Sequence, residues 1–331
     1  MLDVSAYSDE ALIDRENQVL FRELPLAIGH ASQLPRPGDF ITHDASGVPL
    51  LVVRRDDGGV DAFINVCRHR GTRVEAAPHG NKRAFSCPYH GWTYGKRGQL
   101  VTIPHERGFA CVDKTSRGLV RVAAGEASGI VFVRPAPLAE GEDAALDARA
   151  WLGPLVEDLE GFGVSSSVLY GARSVDKALS WKLAIDIFLE TYHLRPTHKD
   201  TIYPMFFDNL GLVDRVGPHL RNVFPLFPNT LVLVQPDHTA VLHVWPNGAT
   251  RATVASYLLV PEPPASDKAR GYWDANAAVL YGATEEDFTM GESIQRGLSS
   301  GANREVVFGA FEHALGHFHA EVRRHTHARS V

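Results

Sequence analysis

Between Ser180 and His198 the chain reads SWKLAIDIFLETYHLRPTH. Trp181, Leu183, Ala184, Ile185, Ile187, Phe188, Leu189, Tyr192 and Leu194 surround a predicted helix on nearly every side, the pattern of a buried helix. Lys182, Asp186, Glu190 and His193 interrupt it at helical spacing, so they share one face. Buried ionisable groups are costly unless they are paired or bind a metal. Pro196 cannot continue a helix and disfavours a helical Arg195, so the chain is expected to turn after Leu194 and swing His198 back towards His193. Two imidazoles meeting there, with a carboxylate from elsewhere, would make the two-histidine, one-carboxylate face that holds Fe(II) with positions left open. The alternative is a buried helix whose polar groups are satisfied by other protein groups.

A second set of metal-ligating residues lies upstream. Cys67-Arg68-His69-Arg70-Gly71 and Cys87-Pro88-Tyr89-His90-Gly91-Trp92 each offer one thiolate and one imidazole on a predicted hairpin tip. A zinc finger groups two cysteines on one arm and two histidines on the other. Mixed arms suit a two-iron cluster with both cysteines on one iron and both histidines on the other, the Rieske [2Fe–2S] ligation. Gly71 and Gly91 would let the backbone approach the cluster and turn N–H groups towards its sulfurs. A zinc ribbon, or buried cysteines beside incidental histidines, are the competing readings.

These residues need elements to carry them. Residues 9–24 read as an amphipathic helix. Short β-rich segments at 40–44, 48–55, 60–66, 83–86, 119–123 and 129–134, separated by turn residues, predict an all-β domain over 39–135. Residues 1–38 form a helical segment expected to pack with the downstream domain. The stretch from Pro135 to Ala148 has linker composition, and a second domain is placed at 150–331. There, strands at 230–235, 240–245 and 252–260 alternate well enough for an antiparallel sheet with one buried face. Helices are predicted over 266–280, 284–298 and 303–323. Thr284 reads as an N-cap, with Glu285, Glu286 and Asp287 in the first turn suiting the helix dipole. His313, His317 and His319 read as surface or packing histidines, and Cys111 as a packed or free thiol.

Composition narrows the classes. With 331 residues, 44% hydrophobic and 22% charged, the chain suits a globular protein of one large or two medium domains. A net charge of -6 leaves no basic footprint for nucleic acid. No apolar run reaches the length of a membrane span. The start, MLDVSAYSDE, is polar and acidic, so neither a signal nor a transit peptide is expected. Three cysteines point to a reduced compartment, and a cytoplasmic location is expected.

The motifs CRHRG and CPYHGWTY, then WKLAIDIFLETYH with His198, then EDFTMGESIQRGL, resemble the α subunits of Rieske non-haem iron oxygenases, in that family's order and from about residue 20 to 320. The resemblance implies an α+β architecture: an N-terminal all-β Rieske domain and a C-terminal helix-grip-like catalytic domain with an antiparallel sheet and helices. It implies Cys67, His69, Cys87 and His90 as cluster ligands. His193, His198 and Asp287 become the ligands of a mononuclear Fe(II), with Asp287 counted back from Glu292 and Gln295. Glu190 matches the carboxylate that links a cluster histidine of one subunit to an iron histidine of the next, and Asp186 stands where ring-hydroxylating members commonly carry Asn. Asp is frequent at the Glu190 position, and Glu there is similar to members that oxidise quaternary ammonium compounds. The implied activity is a terminal oxygenase, using O2 and electrons from a separate NAD(P)H-dependent reductase to hydroxylate or demethylate a small organic, aromatic substrate. The chain is shorter than α subunits that pair with β subunits, which implies a homotrimer without β. Phe206, Phe207, Leu231 and Leu233 are expected near the substrate. An electron carrier without catalytic iron, or a zinc-stabilised binding module, are the readings from other classes.

Overall fold

The computed structural model describes residues 1–205, 213–221 and 224–327. Two compact units emerge: Phe21–Leu152, and Met1–Leu20 together with Gly153–Val331. Phe206 and Phe207, expected near the substrate, lie outside the described residues.

The first unit is built on a seven-stranded antiparallel sheet. Its order is Leu26–His30, Ile130–Pro137, Arg121–Ala127, Val60–Ile64, Leu50–Arg54, Asp39–His43 and His79–Asn81. A three-stranded meander of Ala84–Ser86, Thr93–Gly95 and Leu100–Thr102 completes it. The β unit is wider than the expected 39–135. Leu26–His30 pairs with Ile130–Pro137, in register Ile130 opposite His30 and Val133 opposite Leu26. Its five residues, apolar but for His30, are all buried and its partner lies a hundred residues away in the sequence, so no local alternation marks it. Between sheet and meander lies a core of Phe40, Leu51, Val53, Phe63, Phe85, Trp92 and Tyr94, with Cys67 and Cys87 among them. Phe40 and Phe85 meet edge to face, with ring centroids 5.3 Å apart. A fully buried aromatic of this kind contributes on the order of 2 kcal/mol through apolar burial.

The second unit carries a five-stranded antiparallel sheet in the order Val168–Lys177, Ala252–Val260, Thr239–Pro246, Thr230–Val234 and Pro225–Leu226. Asp267–Leu298 is one helix of 32 residues, where two were expected. Ser266 caps its start by accepting from the Ala269 N–H at 3.2 Å. Gly282 leaves the helix unbroken, a tolerated cost of about 1 kcal/mol. Thr284 is not an N-cap; its hydroxyl donates back to the Leu280 carbonyl at 2.9 Å. Asp287 is thus a mid-helix residue, buried at 5% exposure, and capping does not explain it.

The predicted helix from Ser180 is broken. Trp181–Asp186 is α-helical and Ile187–Leu189 continues as a tighter turn. Glu190 is extended, with φ -138° and ψ 160°. A short helix, Leu194–Thr197, then includes Arg195 and Pro196, so Pro196 does not expel Arg195 from helix. It sits in the first turn, where a missing N–H costs nothing.

The stripe on this segment therefore divides. Lys182 forms a buried ion pair with Glu16, which also accepts from the Trp181 indole N–H at 2.8 Å. Asp186 accepts from the Tyr7 hydroxyl at 2.5 Å and faces His319 Nε2 at 2.9 Å, all three buried. Burial and the neighbouring Asp186 carboxylate push the Tyr7 phenol far above its ordinary range, so it stays a donor. Two of the four stripe residues are satisfied by the first twenty residues and the C-terminal helix His313–His327. Neither His319 nor Tyr7 was expected there; they reach Asp186 across 133 and 179 positions.

Candidate metal centres

The two loops of the first unit share one backbone design. In each, the cysteine carbonyl accepts from the N–H four residues on, Gly71 to Cys67 and Gly91 to Cys87, both at 2.9 Å. In each, the cysteine N–H donates to the carbonyl five residues on, Cys67 to Thr72 and Cys87 to Trp92, both at 2.8 Å. The turns require positive φ at Gly71 (79°) and Gly91 (70°), which glycine adopts without strain.

The loops pair like with like. Cys67 and Cys87 are sulfur neighbours, with burial pushing the Cys87 thiol up while the N–H groups of Tyr89 and His90 pull it down. The His69 and His90 rings are 4.7 Å apart. His69 also stacks on Trp92, its ring 4.9 Å away and nearly parallel. Its Nδ1 is buried with no hydrogen-bond partner among the described residues, an atom aimed at something the protein does not supply. The Tyr94 hydroxyl lies 3.3 Å from Cys67 Sγ and accepts from the Arg68 N–H at 2.9 Å. A thiol pair and an imidazole pair presented by these two loops suit a two-metal cluster with one pair on each metal.

In the second unit, His193, His198 and Asp287 do converge, with one donor atom from each within 4.8 Å of the others. Asp287 Oδ1 faces His198 Nε2 at 2.8 Å and His193 Nε2 at 3.3 Å. The opposite nitrogen of each ring meets a second carboxylate. His193 Nδ1 is 2.5 Å from Glu190 Oε1, and His198 Nδ1 is 2.7 Å from Glu286 Oε2. Glu190 also accepts from the backbone N–H of Tyr192 and of His193. Its extended backbone makes room for this fold-back. Burial opposes charge on His193, but the hydrogen bonds to Asp287 and Glu190 outweigh it and hold its pKa at about 9. His198 is raised likewise; burial opposes it, and hydrogen bonds to Asp287 and Glu286 prevail. A divalent cation would take the place of the Nε2 protons, the donor set expected of such a face.

Close packing sets this geometry. Gly291 lies one turn beyond Asp287, and a Cβ there would sit 2.8 Å from Ile187 Cδ1 and 3.0 Å from Leu179 Cδ1. Gln295 accepts from the Ser180 N–H and Glu292 from the Ala178 N–H, each at 2.8 Å. The long helix thereby holds the start of the segment that bears both histidines. Glu286 was missed because the acidic run reads as a helix start. The structure splits that run: Glu285 pairs with Lys177, Glu286 with His198, and Asp287 with both histidines.

Comparison with known proteins bears on both units. A Rieske [2Fe-2S] domain family matches residues 25–114. The catalytic domain family of ring hydroxylating alpha subunits matches residues 167–223 and 218–328. The chain belongs to the Rieske oxygenase α-subunit family. Membership of that family implies a Rieske cluster and iron, and the donor sets described above fit both. Chlorobenzene dioxygenase subunit alpha from Cupriavidus sp. (strain PS12) is 32% identical over 220 residues, 65% of this chain and 48% of that protein. Chloroplastic choline monooxygenase from Spinacia oleracea is 27% identical over 339 residues, 95% of this chain and 76% of that protein. The crystal structure of the quaternary ammonium Rieske monooxygenase CntA with L-carnitine superimposes with a TM-score of 0.86 at 22% identity, covering 98% of this chain and 95% of the other. The chain spans about half the length of the aromatic dioxygenase subunits it matches. No helix among the described residues is long and apolar enough to cross a membrane.

Proposed function

We propose that this chain is the terminal oxygenase component of a Rieske-type system, with Cys67, His69, Cys87 and His90 holding the cluster and His193, His198 and Asp287 holding the iron. The observation that carries the reading is the convergence of two imidazoles and one carboxylate in the family's catalytic domain, in a chain whose other unit presents the paired cysteine and histidine loops. When bound, the cluster supplies single electrons and the Fe(II) supplies dioxygen chemistry.

The chain's own residues do the rest. Glu190 keeps the His193 Nδ1 proton in place and so presents Nε2 to the metal. Asp186, anchored by Tyr7 and His319, fixes the helix that leads into the site. Tyr192 beside His193 and Tyr89 beside His90 are 66% and 57% exposed, and His90 is itself exposed. His90 at the surface of one unit and the exposed Tyr192 next to His193 in the other support electron passage between chains of a homotrimer. The electron source is a separate NAD(P)H-dependent reductase, and O2 is the co-substrate. The substrate is a small organic molecule of the aromatic class. Glu190 in place of Asp, and the near full-length match to a choline monooxygenase, favour a second reading in which it is a quaternary ammonium compound. Two of the three cysteines serving as cluster thiolates suits a cytoplasmic setting.

The test is metal and acid-labile sulfide content per chain on anaerobically purified protein, followed by oxygen uptake with aromatic and quaternary ammonium candidates. About three irons and two sulfides are expected. Two irons, with none regained on adding Fe(II), would mark an electron carrier. Zinc without sulfide would mark a binding module. Glu190→Gln is expected to keep both metals and lower substrate-dependent oxygen uptake by about 10–100-fold.

A further inference from the structure

His198 is gripped from both ends by consecutive residues of one helix. Side chains one position apart on a helix diverge by about 100°. Yet Glu286 Oε2 lies 2.7 Å from His198 Nδ1 while Asp287 Oδ1 lies 2.8 Å from its Nε2. The imidazole is inserted between them, with its side chain 1% exposed. Glu286 Oε2 also accepts from the Thr201 hydroxyl at 2.7 Å, so the carboxylate is itself held, by a residue three positions after the histidine it serves.

We propose that Glu286 is a positioning residue for His198, fixing the proton on Nδ1 so that Nε2 is the nitrogen offered to the metal. The inference rests on the reading of His193, His198 and Asp287 as ligands. A neutral imidazole carries one N–H, and a carboxylate at Nδ1 keeps it there and strengthens Nε2 as a donor. The arrangement repeats on the other histidine, where Glu190 meets His193 Nδ1. Neither the helix dipole nor pairing with a lysine or arginine accounts for Glu286. It lies deep within the Asp267–Leu298 helix, far from the N-terminal turn where the dipole acts. The salt bridges to Lys177 and Arg173 belong to Glu285 instead. Loss of Glu286 would leave a buried Nδ1–H without an acceptor and free the ring to rotate or change tautomer.

The test uses the full chain with its cluster in place, stripped of the mononuclear metal by a chelator. It is dialysed against graded Co(II), and bound cobalt is read by metal analysis and by the low-field paramagnetic resonance of high-spin Co(II). Glu286→Ala is expected to weaken Co(II) binding by about 10–100-fold and to alter the resonance. The cluster absorption should match wild type, and the metal-free protein should melt only modestly lower, as the loss of the Glu286 hydrogen bonds to His198 and Thr201 requires. Glu286→Gln keeps the shape and one acceptor oxygen without the charge, and should weaken binding several-fold. Wild-type affinity and resonance in both variants would overturn the inference while leaving the ligand assignment standing. Should the alanine variant lose its cluster, the glutamine variant decides alone, and wild-type affinity there overturns the proposal. His198→Ala serves as the control. If it binds Co(II) as wild type does, the ligand assignment itself falls, and the role of Glu286 with it.

Discussion

The cluster loops and the mononuclear site are assembled by opposite means. On the proposed reading, each cluster loop carries both of its ligands within four residues, on a turn whose shape its own glycine and backbone hydrogen bonds dictate. The mononuclear site takes its histidines from a helix that breaks at Glu190 and its carboxylate from a helix 89 positions further along. The first design fixes ligands by local backbone, the second by packing two helices and bracing each imidazole with a further acid. Damage should therefore stay local in the cluster loops and spread through packing in the second unit.

The largest effect expected tests that separation directly. His198→Ala or Asp287→Ala should abolish mononuclear metal and depress oxygen uptake beyond the roughly 100-fold expected at most for outer partners, while cluster colour persists. Cys67→Ala should do the reverse, losing colour and sulfide with Co(II) binding at the second site intact. Iron, sulfide and Co(II) measured side by side would reveal any cross-talk.

Next in size is the response to pH. His193, with its pKa at about 9, is protonated in the metal-free protein at neutral pH. A metal must displace that proton, so apparent Co(II) affinity should climb by up to about tenfold per pH unit and level off above pH 9. The sign for stability is the opposite. A raised folded-state pKa stabilises the metal-free protein fully below the ordinary histidine value of 6.5, and that contribution fades as pH rises through about 9. Melting temperatures of the metal-free protein across this window should fall for wild type and fall less for His193→Ala.

Gly291→Ala sharpens the comparison from the packing side. The added methyl must displace Ile187 and Leu179, at a cost of about 1–3 kcal/mol. Denaturant unfolding should show the loss, and Co(II) affinity should drop with it. The smallest effect belongs to the cluster loops. Tyr94→Phe removes the hydroxyl beside Cys67 Sγ. A hydrogen bond of about 0.5–1.5 kcal/mol to the sulfur favours the reduced cluster, so the potential should fall by roughly 20–60 mV in a one-electron titration.

The same contrast explains what could be read from the residues alone. CRHRG and CPYHGW are legible because ligand, turn and glycine are contiguous. The convergence of His193 and His198 was legible although the helix expected to carry them breaks between Leu189 and Leu194; their spacing mattered more than the backbone proposed for it. Asp287 came only through the family resemblance, since the sequence around it reads as a helix start. Glu286, Tyr7, His319 and Glu16 left no local signal. Each is an ordinary residue on an ordinary helix until tertiary packing supplies a partner 88 to 312 positions away. The strand Leu26–His30 was missed for the same reason, its pairing being with a distant strand.

The path of the chain also sets an order of assembly during synthesis. Phe21–Leu152 is continuous and emerges early from the ribosome, whereas the unit that holds the mononuclear site is split around it. Glu16 must wait for Lys182, Tyr7 for Asp186 and His319, and Arg15 for the Thr326 carbonyl. At about 5–20 residues per second, translation of the remainder takes on the order of ten seconds or more after the first unit is complete. On the proposed reading, the loops that would hold the cluster are complete in the early unit before His193, His198 and Asp287 have been brought together.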